Sequence, residues 1–168
     1  MVCLVIEDGT IVPSANSYLT VEEAEEMLNT IGETFADTPD EVIKTKLLKA
    51  TRVLESYRSK YKGTKVDSTQ SLQFPRYDVT IDGFLMDADV IPYETKMAQA
   101  IIAMLYNNGT DVQTPSDGKT IISETIGNAI SVQYADNGTG DTINYPELDT
   151  YLKPLLKGNC STKQLYRA

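Results

Sequence analysis

Histidine and tryptophan are absent from this 168-residue chain, and cysteine is limited to Cys3 and Cys160. Without imidazole there is neither a histidine general base nor a histidine metal ligand, and two thiols build no Cys/His zinc site and no disulfide framework. Most metalloenzyme chemistry is thereby excluded, and no cofactor is expected. The opening apolar run, Val2-Cys3-Leu4-Val5-Ile6, is far too short for a membrane span or a signal sequence, and no basic segment precedes it. The expectation is a soluble, unexported protein with no membrane partner.

Base is also scarce, 15 Lys and Arg standing against 24 Asp and Glu for a net charge of −9. That balance suits poorly a protein that must displace counterions from phosphates. Its distribution is uneven. Residues 1–40 carry nine acids (Glu7, Asp8, Glu22, Glu23, Glu25, Glu26, Glu33, Asp37, Asp40) and no Lys or Arg. Residues 41–63 carry seven bases (Lys44, Lys46, Lys49, Arg52, Arg58, Lys60, Lys62) against Glu41 and Glu55. Adjacent segments of opposite sign point to complementary packing, within one chain or between copies.

The length, with 41% hydrophobic residues, suits one domain that buries about 70% of the surface of its unfolded chain. Residues 2–6 read as a strand. Thr20 and Glu23 form a capping box ahead of Val21, Ala24, Met27, Leu28 and Ile31 at helical spacing, with Gly32 as the stop. Thr38-Pro39-Asp40-Glu41 is a second start signal, and Ile43, Leu47, Ala50, Leu54, Tyr57 and Tyr61 draw one apolar stripe toward Gly63, marking this as the central helix. From 64 to 91 no period holds, and a loop so long in a compact domain is usually functional or mobile. Pro92 opens a third helix, Gly127-Asn128 joins two β-biased runs as a hairpin, and Tyr145-Pro146 opens a last helix facing Leu148, Tyr151, Leu152 and Leu155 inward. The fold class expected is α+β and mainly helical: a small helical bundle with a β-hairpin and an N-terminal strand. Its single domain spans 1–158, with helices over about 20–31, 39–62, 92–107 and 146–156 and a hairpin over about 120–134, and 159–168 form a flexible C-terminal arm.

Candidate chemistry is thin. Ser59-Lys60-Tyr61-Lys62 matches S-x-x-K, but the partner motifs of serine acyl-enzymes are missing, so it reads as the solvated end of a basic helix. Residues 136–141 resemble part of a calcium loop yet lack its alternating ligands and terminal glutamate. Asp87 and Asp89 could pair in acid–base work, but nothing sets a substrate against them. Tyr57 and Tyr61 among the cations could stack bases. Both lie on the apolar stripe, however, and are expected in the core, which leaves no exposed aromatic series.

Glu7-Asp8-Gly9, Ala15-Asn16-Ser17-Tyr18, Gln73-Phe74-Pro75-Arg76, Ile91-Pro92, Ser123-Glu124-Thr125-Ile126-Gly127 followed by Ser131-Val132-Gln133-Tyr134, Tyr145-Pro146-Glu147-Leu148-Asp149, and Leu152-Lys153-Pro154-Leu155-Leu156 stand in a distinctive order. Over about residues 5–157 the chain resembles the head-to-tail adaptor (connector, or neck) proteins of tailed bacteriophages, a family also labelled DnaT-like single-stranded-DNA-binding proteins. It departs from the family pattern at Phe74, where a tryptophan is usual. The resemblance implies a non-enzymatic ring, commonly dodecameric, between the portal protein and the tail or a second neck protein. Such a ring is assembled in the host cytoplasm, is carried in the virion, and passes the genome through its lumen without specific binding. The alternative is a replication-type protein that binds single-stranded DNA.

Three site expectations follow. The Glu22, Glu23, Glu25 and Glu26 cluster should meet the Lys49 and Arg52 face of a neighbouring subunit. Phe74, with Pro75 and Arg76, should anchor the long loop to the domain. The arm, with Leu165, Tyr166 and Arg167, should order against portal.

Overall fold

The computed structural model describes residues 3–110, 112, 119–125, 131–136 and 146–158. The Gly127-Asn128 turn, residues 137–141 of the calcium-loop-like segment, Cys160 and the arm bearing Leu165, Tyr166 and Arg167 lie outside these. Four helices, α1 (Val21–Thr30), α2 (Asp40–Ser56), α3 (Tyr93–Asn107) and α4 (Pro146–Leu152), with a 3₁₀ turn at Lys153–Leu155, form the helical part. Three antiparallel two-stranded ribbons accompany them: β1 (Thr64–Lys65) with β2 (Arg76–Tyr77), β3 (Thr80–Ile81) with β4 (Phe84–Leu85), and β5 (Lys119–Thr125) with β6 (Ser131–Asp136). The fold is α+β and mainly helical, as expected.

The central helix is α3, not α2. Every residue from Met97 to Leu105 is buried, and α1, α2, α4 and the 3₁₀ turn all pack on it. A helix covered on all sides needs no amphipathic stripe, which is why Ala98, Ile101, Ile102 and Leu105 understate its position. The apolar stripe of α2 is the narrower mark of a helix with one face in water. Its buried residues are Ile43, Leu47, Ala50, Thr51, Val53 and Leu54.

α2 also stops at Ser56, short of the expected 62. Residues 60–62 leave the helix to pair with the 3₁₀ turn and the residues after it, through Lys62 N–H to Leu155 O (2.9 Å) and Lys157 N–H to Lys60 O (2.8 Å). Tyr61 turns back beneath the helix end and donates its hydroxyl to Leu54 O at 2.9 Å. Both Tyr57 and Tyr61 are buried, as the stripe requires. At the other end the N-cap is Pro39, whose side chain has no polar atom to bond the helix start, while the Thr38 hydroxyl donates to Phe35 O (2.6 Å). The α1 capping box does form, with Thr20 N–H to Glu23 Oε2 at 2.9 Å and Glu23 N–H to Thr20 Oγ1 at 3.2 Å.

The expected N-terminal strand is reduced to one parallel bridge, Ile6 with Ser17. Backbone bonds between residues 5–7 and 16–17 are joined there by the Asn16 side chain, which takes the Val5 N–H (2.9 Å) and donates to Cys3 O (3.2 Å). The 64–91 segment, expected as an aperiodic loop, contains β1 to β4. Two-residue strands are too short for alternation to show.

Candidate interaction surface

The segment Gln73-Phe74-Pro75-Arg76 is drawn into the domain by a polar latch. Tyr18, fully buried, donates its hydroxyl to Glu55 Oε1 at 3.2 Å and accepts the Gln73 and Phe74 amides at 3.1 and 3.2 Å. Glu55 also takes the Gln73 amide (2.9 Å) and its side-chain NH₂ (3.0 Å). Burial, then the Glu55 charge, pushes the Tyr18 hydroxyl well above its ordinary pKa; the same two causes raise Tyr61. Phe74 is 1% exposed and meets the Tyr61 ring edge-on, with centroids 5.1 Å apart. The Phe74–Pro75 peptide is cis, and Gln70 spans the turn by donating to Leu72 O and Pro75 O.

Arg76 completes the latch without a carboxylate partner. Its guanidinium donates to the carbonyls of Lys62 (2.8 Å), Gly63 (2.8 Å) and Gln73 (3.3 Å) and to Gln73 Oε1 (3.2 Å). Desolvation lowers its pKa, opposed by Tyr61, Tyr18 and Glu55. A planar fork with five donors fits this set of oxygens, and a point-charge ammonium would not. Phe74, Pro75 and Arg76 are thus buried together, turned inward rather than toward a partner.

Two further buried polar groups escaped the sequence reading. Gln99, inside α3, accepts the Tyr18 amide (2.9 Å) and donates to Ser17 Oγ (2.8 Å), Thr51 Oγ1 (3.0 Å) and Leu47 O (3.3 Å). Glu7 accepts the amides of Gly9, Ile11 and Val12, each at 3.0 Å, and so folds its own loop. The signal for Gln99 was a lone amide within Met97-Ala98-Gln99-Ala100-Ile101; that for Glu7 was its place at the head of Glu7-Asp8-Gly9, after an apolar run. The Glu-Asp-Gly, Ala-Asn-Ser-Tyr and Gln-Phe-Pro-Arg motifs are therefore framework joints of one domain.

The surface carries the remaining features. On α1, Glu22 is held below its ordinary pKa by its own amide, with Thr20 and then Lys44 of the same chain adding to this. Glu23 is spent on the capping box and stands 4.0 Å from Lys96. Glu25 and Glu26 are exposed, without an ion pair among the described residues. On α2, Lys49 and Arg52 are exposed on the outer stripe, Lys49 lying 5.8 Å from the Tyr106 ring centroid. Arg52 and Arg58 have no ion pair among the described residues. Lys44 is bonded to Glu41 of its own helix at 3.0 Å, and Lys49 and Arg52 face out.

Six large apolar side chains are exposed among the described residues, and five of them, Tyr77, Phe84, Leu85, Val90 and Tyr93, fall between residues 77 and 93. Three of the five are aromatic, which corrects the expectation that no aromatic series is exposed. The same stretch through residue 94 holds Asp78, Asp82, Asp87, Asp89 and Glu94 and no Lys or Arg. Asp87 and Asp89 are both exposed there. Among the described residues no cluster of His, Cys, Asp and Glu is placed to hold a metal ion, and no helix is long and apolar enough to cross a membrane.

Residues 2–168 match the family described as "Putative DnaT-like ssDNA binding protein". The chain belongs to that family. The match spans both the latch and the acidic apolar stretch, so the family's extent covers framework and surface alike. No curated protein and no solved structure matches the chain.

Proposed function

We propose that this member of the DnaT-like family is a structural head-to-tail adaptor of a tailed bacteriophage, which works by assembly and not by catalysis. In this reading identical subunits form a ring, dodecameric by the resemblance, between portal and a tail or second neck protein. It is carried at the neck of the virion, and the genome passes through without specific contacts. The observation that carries the reading is that the exposed rings lie in an acidic stretch, whereas the rings the cations approach are buried or half-buried. Single-strand binding needs aromatic platforms beside a basic groove. Here the exposed rings Tyr77, Phe84 and Tyr93 stand among five acids, while Tyr57 and Tyr61, next to the cations, are buried. An acidic, partly apolar surface suits a protein partner, and a net charge of −9 suits a conduit that repels sliding DNA. The order of the motifs along the chain supports the phage assignment.

Single-stranded DNA binding is the second reading, favoured by the family's description. Lys49, Arg52 and Arg58 are the cations it would use. Native mass spectrometry combined with fluorescence anisotropy on a labelled oligonucleotide across a salt series separates the two. The adaptor reading expects self-association and portal binding with no salt-dependent oligonucleotide binding. A monomer whose oligonucleotide affinity falls steeply with salt establishes the second. In the adaptor reading, the arm bearing Leu165, Tyr166 and Arg167 grips portal, so a chain lacking 159–168 keeps its melting temperature and docks portal more weakly; full docking removes the arm from the mechanism.

A further inference from the structure

The β3–β4 ribbon ends in an apolar tip on a rigid base. Asp82 and Gly83 form its turn with φ of 51° and 88°, the two positive values that a type I′ turn requires. Behind the turn Val79 and Ile81 are buried, Met86 N–H bonds Val79 O at 2.8 Å, and Lys62 Nζ bonds Thr80 O at 2.9 Å. In front of them Phe84 is 75% exposed and Leu85 69%. Ile81 faces Phe84 across the ribbon and Thr80 faces Leu85, so the two apolar side chains stand on opposite faces of one knob. Scattered exposed apolar residues are ordinary; two adjacent ones on a preformed turn, within the stretch that holds most of the exposed apolar residues, are not.

We propose that this knob docks on the outer face of α2 in a second copy of the chain. The inference rests on the assembly reading and names its contact. The occupant follows from charge. The knob is set among Asp78, Asp82, Asp87 and Asp89, with no Lys or Arg between residues 77 and 94 and with Lys62, bonded to Thr80 O, as the cation at its base. The exposed outer stripe of α2 presents Lys49 and Arg52, with Arg58 beyond the helix end and with the exposed Val42 and half-buried Leu48 as apolar footing. In the same chain β3 packs on the 3₁₀ turn and not on α2, so the two surfaces do not meet each other. On α1, Glu23 is engaged in its own capping box, while Glu25 and Glu26 stay exposed and are the competing acids that the test below separates. A contact between unlike patches is heterologous: each copy offers one knob and one face, and repetition closes a ring or extends a filament. A preordered turn keeps the entropic cost of docking low.

The test pairs Phe84→Ser/Leu85→Ser with Lys49→Glu/Arg52→Glu, followed by sedimentation velocity and native mass spectrometry at low salt. Each variant alone should raise the half-assembly concentration by about tenfold or more. The serine variant should keep the wild-type melting temperature, because both positions are exposed; Arg52→Glu alone serves if the double charge reversal disturbs the fold. Mixed together, the serine variant, with an intact face, and the charge variant, with an intact knob, should form a 1:1 dimer that goes no further. Wild-type assembly by the serine variant overturns the knob while the assembly reading stands, and more so if Glu25→Lys/Glu26→Lys blocks assembly instead. A mixture that stays monomeric overturns the α2 face as acceptor. A wild-type chain that remains monomeric and binds the oligonucleotide overturns the assembly reading together with this contact.

Discussion

Arg76 holds three backbone carbonyls and one amide oxygen, so its loss strips a partner from each of these groups. Arg76→Ala should cost about 3 kcal/mol in urea unfolding, and Arg76→Lys should recover only part of it. Phe74→Ala should cost about 3–5 kcal/mol, because the site is fully packed against Tyr61. An unchanged melting temperature would place the ring outside the core. The buried tyrosines make a pH prediction. Tyr18 and Tyr61 have folded pKa values raised by burial and by Glu55, while in the unfolded chain they titrate at about 10. Below about pH 10 both are neutral in either state and their stability contribution is whole. As pH rises beyond that, only the unfolded chain ionises, so stability should fall. Tyr61→Phe should flatten that alkaline loss in pH-dependent urea titrations, at a cost of about 1 kcal/mol at neutral pH for the bond to Leu54 O.

The short ribbons depend on glycine for two different reasons. Gly83 has φ of 88° with open space where a Cβ would stand, so Gly83→Ala should cost only the conformational penalty, about 1 kcal/mol by thermal unfolding. At Gly63, φ is 65° and a Cβ would lie 1.8 Å from Tyr77 O. Gly63→Ala must part β1 from β2 and displace a carbonyl that Arg76 holds, so its loss should exceed that at Gly83 severalfold. Helix starts and the 119–136 hairpin were legible because capping residues, proline and alternating runs act locally. The 80–85 hairpin was legible in principle too, through Asp82-Gly83 between Thr80-Ile81 and Phe84-Leu85, but a ribbon of two residues per strand hides beside a longer aperiodic stretch. The early end of α2 was not legible, since the apolar stripe continues through Tyr57 and Tyr61 after the helix has stopped.

At the scale of the whole molecule, in the ring proposed above, the opposed charges of the α2 face and the 77–94 stretch predict an ionic-strength response. Charge reversal at Lys49 and Arg52 should slow ring formation at low salt, measured by light scattering. The difference from wild type should fade as added salt shortens the screening length to about 3 Å near 1 M. Equal rates at low salt, with the fold intact, would remove α2 from the contact. The same surfaces explain why the sequence misjudged the exterior: the apolar stripe places Tyr57 and Tyr61 in the core correctly, yet nothing local shows that Tyr77, Phe84 and Tyr93 stay in water.

Local chemistry along the chain was enough to specify a mainly helical α+β domain, the α1 capping box, the inward tyrosines after α2 and the opposition of acidic and basic segments. Each of these depends on neighbours within a few residues or on one helical period. Tertiary structure alone decided that α3 is the centre, that Gln99 and Glu55 tie separate segments to Tyr18, and that Arg76 turns inward. Those outcomes join residues far apart in sequence, such as Tyr18 with Gln99 and Phe74. Which polar group finds which partner is settled by packing, because a buried donor or acceptor is costly unless the fold brings a partner within 3 Å or so of it; among the described residues the buried Thr95 hydroxyl has none.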